Sequence, residues 1–213
     1  MNGLKKLKKF KNKKKFIYLI SPSKIKSNSF YNQLKQIFNL NKVAFFQLRL
    51  KKERKKEKLI IGKKIQKLCK KYKVKYIIND DPLLAKKINA DGCHLGQTDM
   101  DIILAKKTLK KHIIGITCHN SKKLIKKAIK NKASYIALGA FFSTKTKRVK
   151  YKANIKVLNW AKKTTNIPIV AIGGIKLNNY KKLLLNKANF LAISGYIWNN
   201  KKLKPMEAIN KLK

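Results

Sequence analysis

Acid is scarce in this chain of 213 residues. Eight Asp and Glu face 55 Lys and Arg, for a formal net charge of +47. That balance excludes an acidic disordered segment and any need for a cationic partner, and it leaves a polyanion free to bind almost anywhere. Arginine is nearly absent too: Arg49, Arg54 and Arg148 are the only three. Base-edge readers rely on the planar guanidinium fork, so a sequence-specific nucleic-acid protein is not expected. What remains is weak, salt-sensitive polyanion binding by lysines releasing counterions. The lysines are scattered through every prospective helix, alongside abundant Asn and Ile, as A+T-rich coding would produce.

Long apolar runs are missing as well. The longest stretch free of Asp, Glu, Lys and Arg is Ala188 to Asn200, thirteen residues, short of the ~20 that a membrane helix needs. No membrane association is expected. Residues 1–15 hold eight lysines, but the apolar stretch that follows is too short for a signal-peptide core, so they read as a solvated tail. Cys69, Cys93 and Cys118 show no CxxC spacing, and an odd count without a secretory signal points to a reducing compartment, the cytoplasm.

Eight β-branched, aromatic or apolar runs are present, beginning at Phe16, Ala44, Lys75, Gly92, Ile113, Tyr135, Ile167 and Phe190. Between them lie lysine-rich segments with apolar residues three and four apart, such as Leu124, Ile125, Ala128 and Ile129, the spacing of one-sided helices. Nearly continuous apolar strands belong to parallel sheets covered by helices. Eight strand–helix units in one short chain predict an α/β fold of the closed (β/α)8 TIM-barrel type, a single domain over 16–213. The competing architecture is an open doubly wound sheet, but its GxGxxG turn after the first strand is replaced by Ser21, Pro22 and Ser23.

In a barrel the C-terminal strand ends share one mouth. The polar residues expected there are Gln47, Arg49 and Lys51; Asn79 and Asp80; Gln97 and Asp99; Thr117 and His119; Ser143 to Lys147; Gly173 and Gly174; and Ser194 and Gly195. Five of the eight acids lie between Asp80 and Asp101, which marks a site. Two carboxylates from adjacent strand ends amid cationic side chains suit a Mg²⁺ that keeps waters and binds substrate phosphates. Helix capping claims one Asp of each pair, which leaves Asp80 and Asp99 as metal ligands and Asp81 and Asp101 as caps. Gly173 and Gly174 either admit a phosphate close to the backbone or relieve crowding at the strand end. His94 reads as packed and hydrogen-bonded, His119 as a candidate proton carrier. No nucleophile elbow or Cys–His pair is present.

The segments FQLRLK (from Phe46), IINDDPLLA (from Ile77), ADGCHLGQTDM (from Ala90), IIGITCHN (from Ile113), LGAFFSTKTK (from Leu138) and IPIVAIGGI (from Ile167) together resemble the thiamine-phosphate synthase family. The likeness runs from about Phe16 to Trp198. It implies a TIM-barrel transferase of thiamine biosynthesis that joins 4-amino-5-hydroxymethyl-2-methylpyrimidine diphosphate to a thiazole phosphate, with Mg²⁺, releasing pyrophosphate. By motif, Asp80 and Asp99 carry the metal, and Arg49, Lys51 and Lys147 neutralise the leaving group. The pyrimidine diphosphate would meet Gln47, Leu48, Arg49, Leu50, Lys51, Asn79, Thr117 and Lys147. The thiazole phosphate would meet Thr144, Lys145, Thr146, Gly174, Ser194 and Gly195. Departures from the pattern are Leu50 for a common Glu, Thr117 for Ser, Ser134 for Asp, and Lys187-Ala188-Asn189 for Gly-Ala-Asp. The rivals are a thiazole tautomerase of the same family, in which His119 would move a proton, and a non-catalytic RNA-binding barrel.

Overall fold

A computed structural model describes residues 15–25, 27–144 and 149–213. The predicted tail, apart from Lys15, lies outside them. Eight parallel strands close on themselves in chain order: β1 (Ile17–Ile20), β2 (Val43–Leu48), β3 (Lys75–Asn79), β4 (Gly92–Leu95), β5 (Ile113–His119), β6 (Tyr135–Gly139), β7 (Ile169–Ile172) and β8 (Phe190–Ile193). Closure by pairing of β1 with β8 rules out the open sheet. The connecting helices are α1 (Asn28–Asn39), α2 (Lys55–Lys71), α3 (Pro82–Ile88), α4 (Ile102–Leu109), α5 (Lys122–Lys130), α6 (Ile155–Thr164) and α7 (Tyr180–Leu185); the short α8 (Gly195–Trp198) and α9 (Pro205–Asn210) end the chain.

Local chemistry explains these boundaries. Helix α5 buries Ile125 and Ala128 and turns its lysines outward, while Ser121 accepts a hydrogen bond from the Leu124 amide at its start. Each fully buried Leu or Ile contributes about 1.5–3 kcal/mol. The strands are buried on both faces, so most of them show no polar alternation. Their outward side chains, among them Phe46, Leu48 and Ile78, pack under the helices in the main core. The inward ones, including Tyr18, Phe45, Ile77, Tyr135, Val170 and Phe190, fill the barrel. Gly115 permits that filling, because a Cβ there would fall 1.9 Å from the Tyr135 ring. No helix among the described residues is long and apolar enough to cross a membrane.

Two departures from the family pattern find local compensation. Ser134, buried, accepts the Ile114 amide at 3.0 Å, and Asn189 accepts the Ile169 amide at 2.9 Å. Lys187 adopts φ +69°, a left-handed conformation that glycine takes without cost.

Candidate functional site

The acids gathered in sequence are divided in space. Asp91 precedes β4, so it sits at the end of the barrel opposite the mouth, where it holds Lys75 Nζ at 2.6 Å and accepts the Tyr76 amide. Its nearness in sequence to Asp80 reflects a short α3, and it is no part of the mouth. Asp81 caps α3 by accepting the Leu84 amide, and Asp101 caps α4 by accepting the Ile103 amide. Asp80 and Asp99 are left, and their carboxyls act directly on one another. Asp80 follows β3 at φ +65°, a conformation Asp tolerates better than most residues. Its amide donates to the His94 carbonyl. Asp99 returns on the turn after β4, with one oxygen accepting the Gly96 amide at 2.7 Å.

Lys51 Nζ lies 3.0 Å from Asp80 Oδ2. Burial alone would raise the Asp80 carboxyl, but Asp99 and Lys51 outweigh it and hold Asp80 below the usual range. Asp99 is pushed up, by burial and then by Asp80 itself. Two carboxylates this close oppose one another's ionisation, and the cost falls on Asp99 because Lys51 favours the charged form of Asp80. They form an all-oxygen donor pair, and no cluster of three or more His, Cys, Asp or Glu able to hold a metal occurs among the described residues. That donor set fits Mg²⁺, which binds through one or two carboxylates and completes its shell with water and phosphate.

Below the mouth a chain of hydrogen bonds crosses the barrel. Gln47 Nε2 donates to Tyr18 Oη (3.1 Å); the Tyr18 and Tyr135 hydroxyls are 2.7 Å apart; Tyr135 Oη is 2.9 Å from His94 Nδ1; and His94 Nε2 is 2.8 Å from Thr117 Oγ1. Burial pushes the His94 imidazole down to about 4, so it is neutral at pH 7 and carries one ring proton. With Gln47 donating at one end, a single direction gives every buried proton an acceptor: Tyr18 to Tyr135, Tyr135 to Nδ1, Nε2–H to Thr117. The Thr117 hydroxyl then has its own proton to offer toward the mouth. Gln97 Nε2 donates to the Thr117 carbonyl and fixes the same strand end.

The sequence placed Gln47 after its strand, whereas it lies within β2 as a buried member of this chain. The Leu48 and Leu50 side chains pack in the core beneath the helices, which leaves their backbone as what either could offer a ligand. Arg49 and Lys51 occupy the rim, the Arg49 amide donating to Ser21 Oγ at 2.9 Å. Asn79 ends β3, half-buried beside Asp80. Tyr18, Tyr135 and Ser21 were missed. Their signal was a hydroxyl on an otherwise apolar strand run, or just past its end.

On the far side, Phe141 and Phe142 donate to the carbonyls of Ile172 and Gly173. Gly173 (φ +102°) and Gly174 (φ +62°) are required by that approach, since added Cβ atoms would stand 2.3 Å from Ala140 Cβ and from the Ser143 carbonyl oxygen. Crowding therefore accounts for both glycines. Ser194 Oγ donates to the Ser21 carbonyl, and Gly195 opens α8. Thr144 is the last described residue before Lys145, Thr146 and Lys147, which lie outside the described residues. His119, at φ +53°, lies tilted against the Tyr151 ring.

The thiamine monophosphate synthase family model matches residues 17–197. The thiamine-phosphate synthase of Pelagibacter ubique is 68% identical over 207 residues, covering 97% of this chain and 100% of that protein. That of Erythrobacter litoralis is 36% identical, covering 86% and 88%. Among solved structures, thiamine phosphate pyrophosphorylase from Pyrococcus furiosus superimposes with a TM-score of 0.82 at 25% identity over 94% of both chains. A 3-hexulose-6-phosphate synthase shares the fold alone, at a TM-score of 0.64 and 14% identity.

Proposed function

The chain belongs to the thiamine monophosphate synthase family and is a transferase of thiamine biosynthesis, and from that premise we propose how its mouth joins the pyrimidine diphosphate to the thiazole phosphate. The observation that carries the proposal is the Asp80–Asp99 carboxyl pair facing Lys51 at the rim. Asp80 and Asp99 would hold a Mg²⁺, which when bound supplies charge neutralisation of the diphosphate.

The remaining work belongs to the chain's own residues. The C–O bond between the pyrimidinylmethyl carbon and the diphosphate breaks with its electron pair leaving on oxygen. The electron-rich ring stabilises the resulting cation, and the thiazole nitrogen donates its lone pair to form the C–N bond. No strong base is needed. Arg49, Lys51 and, by motif, Lys147 balance the growing negative charge in a preorganised setting. The pyrimidine stands above the Tyr18–Tyr135 floor, where Thr117 has a hydroxyl proton to donate and the aromatic faces favour a cation. Asn79 borders the diphosphate. Across the mouth, Thr144, Gly174, Ser194 and Gly195, with Lys145 and Thr146 by motif, take the thiazole phosphate, and the two rings are aligned by being held from opposite sides.

We assign the enzyme to the cytoplasm, in keeping with three buried free cysteines. Polyanion binding by the lysines is a weak, salt-sensitive side property. The test is to mix the purified protein with both substrates and Mg²⁺ and measure thiamine phosphate, with EDTA as control. Product that disappears with EDTA is expected. Isomerised thiazole alone, or no product, overturns the proposal.

A further inference from the structure

The last strand-end motif without a role is His119-Asn120. The register of β5 against β6 shifts between Thr117 and His119, and His119 takes φ +53°. This turn swings the imidazole out of the strand and onto the Tyr151 ring, with centroids 4.5 Å apart and planes at 36°. Asn120 adds a second fastening, its Nδ2 donating to the Lys152 carbonyl at 3.0 Å. The segment so gripped is pinned to the end of β6: the Ala140 amide donates to the Tyr151 carbonyl, and the Ala153 amide to the Ala140 carbonyl at 2.9 Å. Ala140 in turn backs onto Gly173, whose carbonyl receives the Phe142 amide. A continuous series of contacts thus runs from the end of β5 to the side of the mouth assigned to the thiazole phosphate.

We propose that His119 and Tyr151, with Asn120, form a clasp that positions the Ala140–Gly174 side of the mouth for the thiazole phosphate, and that His119 acts there as a ring and not as a proton carrier. The geometry favours the clasp, because a residue in the left-handed region at a strand end is held by its surroundings, and here those surroundings are an aromatic face. Tyr151 is 49% exposed, so the pair adds little to the core.

This role rests on the synthase reading, and the variants separate the two. His119→Asn keeps a residue at ease in the left-handed conformation but removes the ring; His119→Phe keeps the ring and removes the titratable nitrogens; Tyr151→Ala and Tyr151→Phe make the matching pair. Ring removal is expected to raise KM for the thiazole phosphate three- to tenfold, the range implied by an aromatic pair. The kcat and the KM for the pyrimidine diphosphate stay within twofold. Both Phe variants behave as wild type, and His119→Asn/Tyr151→Ala is no worse than either single change. Loss of kcat in His119→Phe overturns the proposal in favour of proton transfer. Equal movement of both KM values with a fall in melting temperature overturns it in favour of a structural role. Hydrogen exchange at the Ala140 and Ala153 amides, faster in Tyr151→Ala than in Tyr151→Phe, tests the clasp without substrate. Unchanged exchange sinks it even if thiamine phosphate is made, and faster exchange in a protein that makes none leaves the fault with the synthase reading.

Discussion

Removing one hydroxyl from a buried tyrosine should have opposite effects at two places in this barrel. Tyr135→Phe deletes the group that joins Tyr18 Oη at 2.7 Å to His94 Nδ1 at 2.9 Å. Tyr18 retains Gln47 as a donor, but its own proton and the Nδ1 lone pair both lose their partners. Leaving a buried polar group unpaired costs about 1–3 kcal/mol, so a loss of about 2–3 kcal/mol is expected. For a domain this size, at about 2–4 °C per kcal/mol, the melting temperature falls by about 4–12 °C. Tyr76→Phe deletes a hydroxyl that is equally buried but has no hydrogen-bond partner among the described residues. That change should be neutral or stabilise by up to about 1 kcal/mol, since burial of an unpaired hydroxyl is a cost removed. Thermal unfolding followed by circular dichroism on both variants decides the matter. If Tyr135→Phe melts within 1 °C of wild type, or Tyr76→Phe loses as much as Tyr135→Phe, the hydrogen-bond chain does not exist as described. The same Tyr135→Phe protein should lose about tenfold in turnover, because Thr117 is no longer held as an outward donor.

Three further outcomes follow from single residues. Asp80→Asn keeps the left-handed backbone and removes the charge, so turnover should fall about a hundredfold, roughly 3 kcal/mol of lost charge stabilisation, with the melting temperature preserved; near-wild-type turnover at saturating Mg²⁺ contradicts the role given to Asp80. Lys187→Gly relieves φ +69° and should stabilise by about 0.5–1 kcal/mol after the entropy of glycine is subtracted, raising the midpoint of urea unfolding; a lower midpoint shows that Lys187 makes contacts worth more than the strain. Burial pushes the Cys118 thiol up to about 12 and Cys93 higher still, and raises Cys69. At pH 8 only about one Cys118 thiol in ten thousand is ionised, so Ellman's reagent should find no fast-reacting thiol in the native protein and three after unfolding.

The barrel was legible because two periodicities, apolar strand runs and one-sided helices, alternate without interruption, and each survives a surface turned almost wholly to lysine. The Asp80–Asp99 pairing was legible because the α3 and α4 caps account for Asp81 and Asp101. Depth within the barrel was not legible. Gln47 sits inside β2 and not after it, Leu48 and Leu50 face the helices, and Asp91 belongs to the other end. A fully buried parallel strand shows no polar–apolar alternation from which to read its inward face, and sequence distance does not say on which side of a short helix a residue falls. The Tyr18–Tyr135–His94 chain was hidden for the same reason: hydroxyls and rings on buried strands read as core until their partners, 117 residues apart for the two tyrosines, are placed together.

The acids also show why Asp80, more than any other side chain, points to function. Glu57 and Glu207 accept the amides of Arg54 and Lys204 at helix starts, Asp81 and Asp101 cap α3 and α4, Asp91 binds the Tyr76 amide, and Asp99 binds the Gly96 amide. Each of these satisfies a backbone N–H that the fold must otherwise leave to solvent. Asp80 is directed instead at another carboxylate and at Lys51. The like-charge cost of that pairing falls on Asp99, whose carboxyl is pushed up by burial and by Asp80, while Lys51 helps hold Asp80 ionised. Two carboxylates kept together at the mouth of a barrel are what the proposed divalent cation would use, so Asp80→Asn tests that proposal directly.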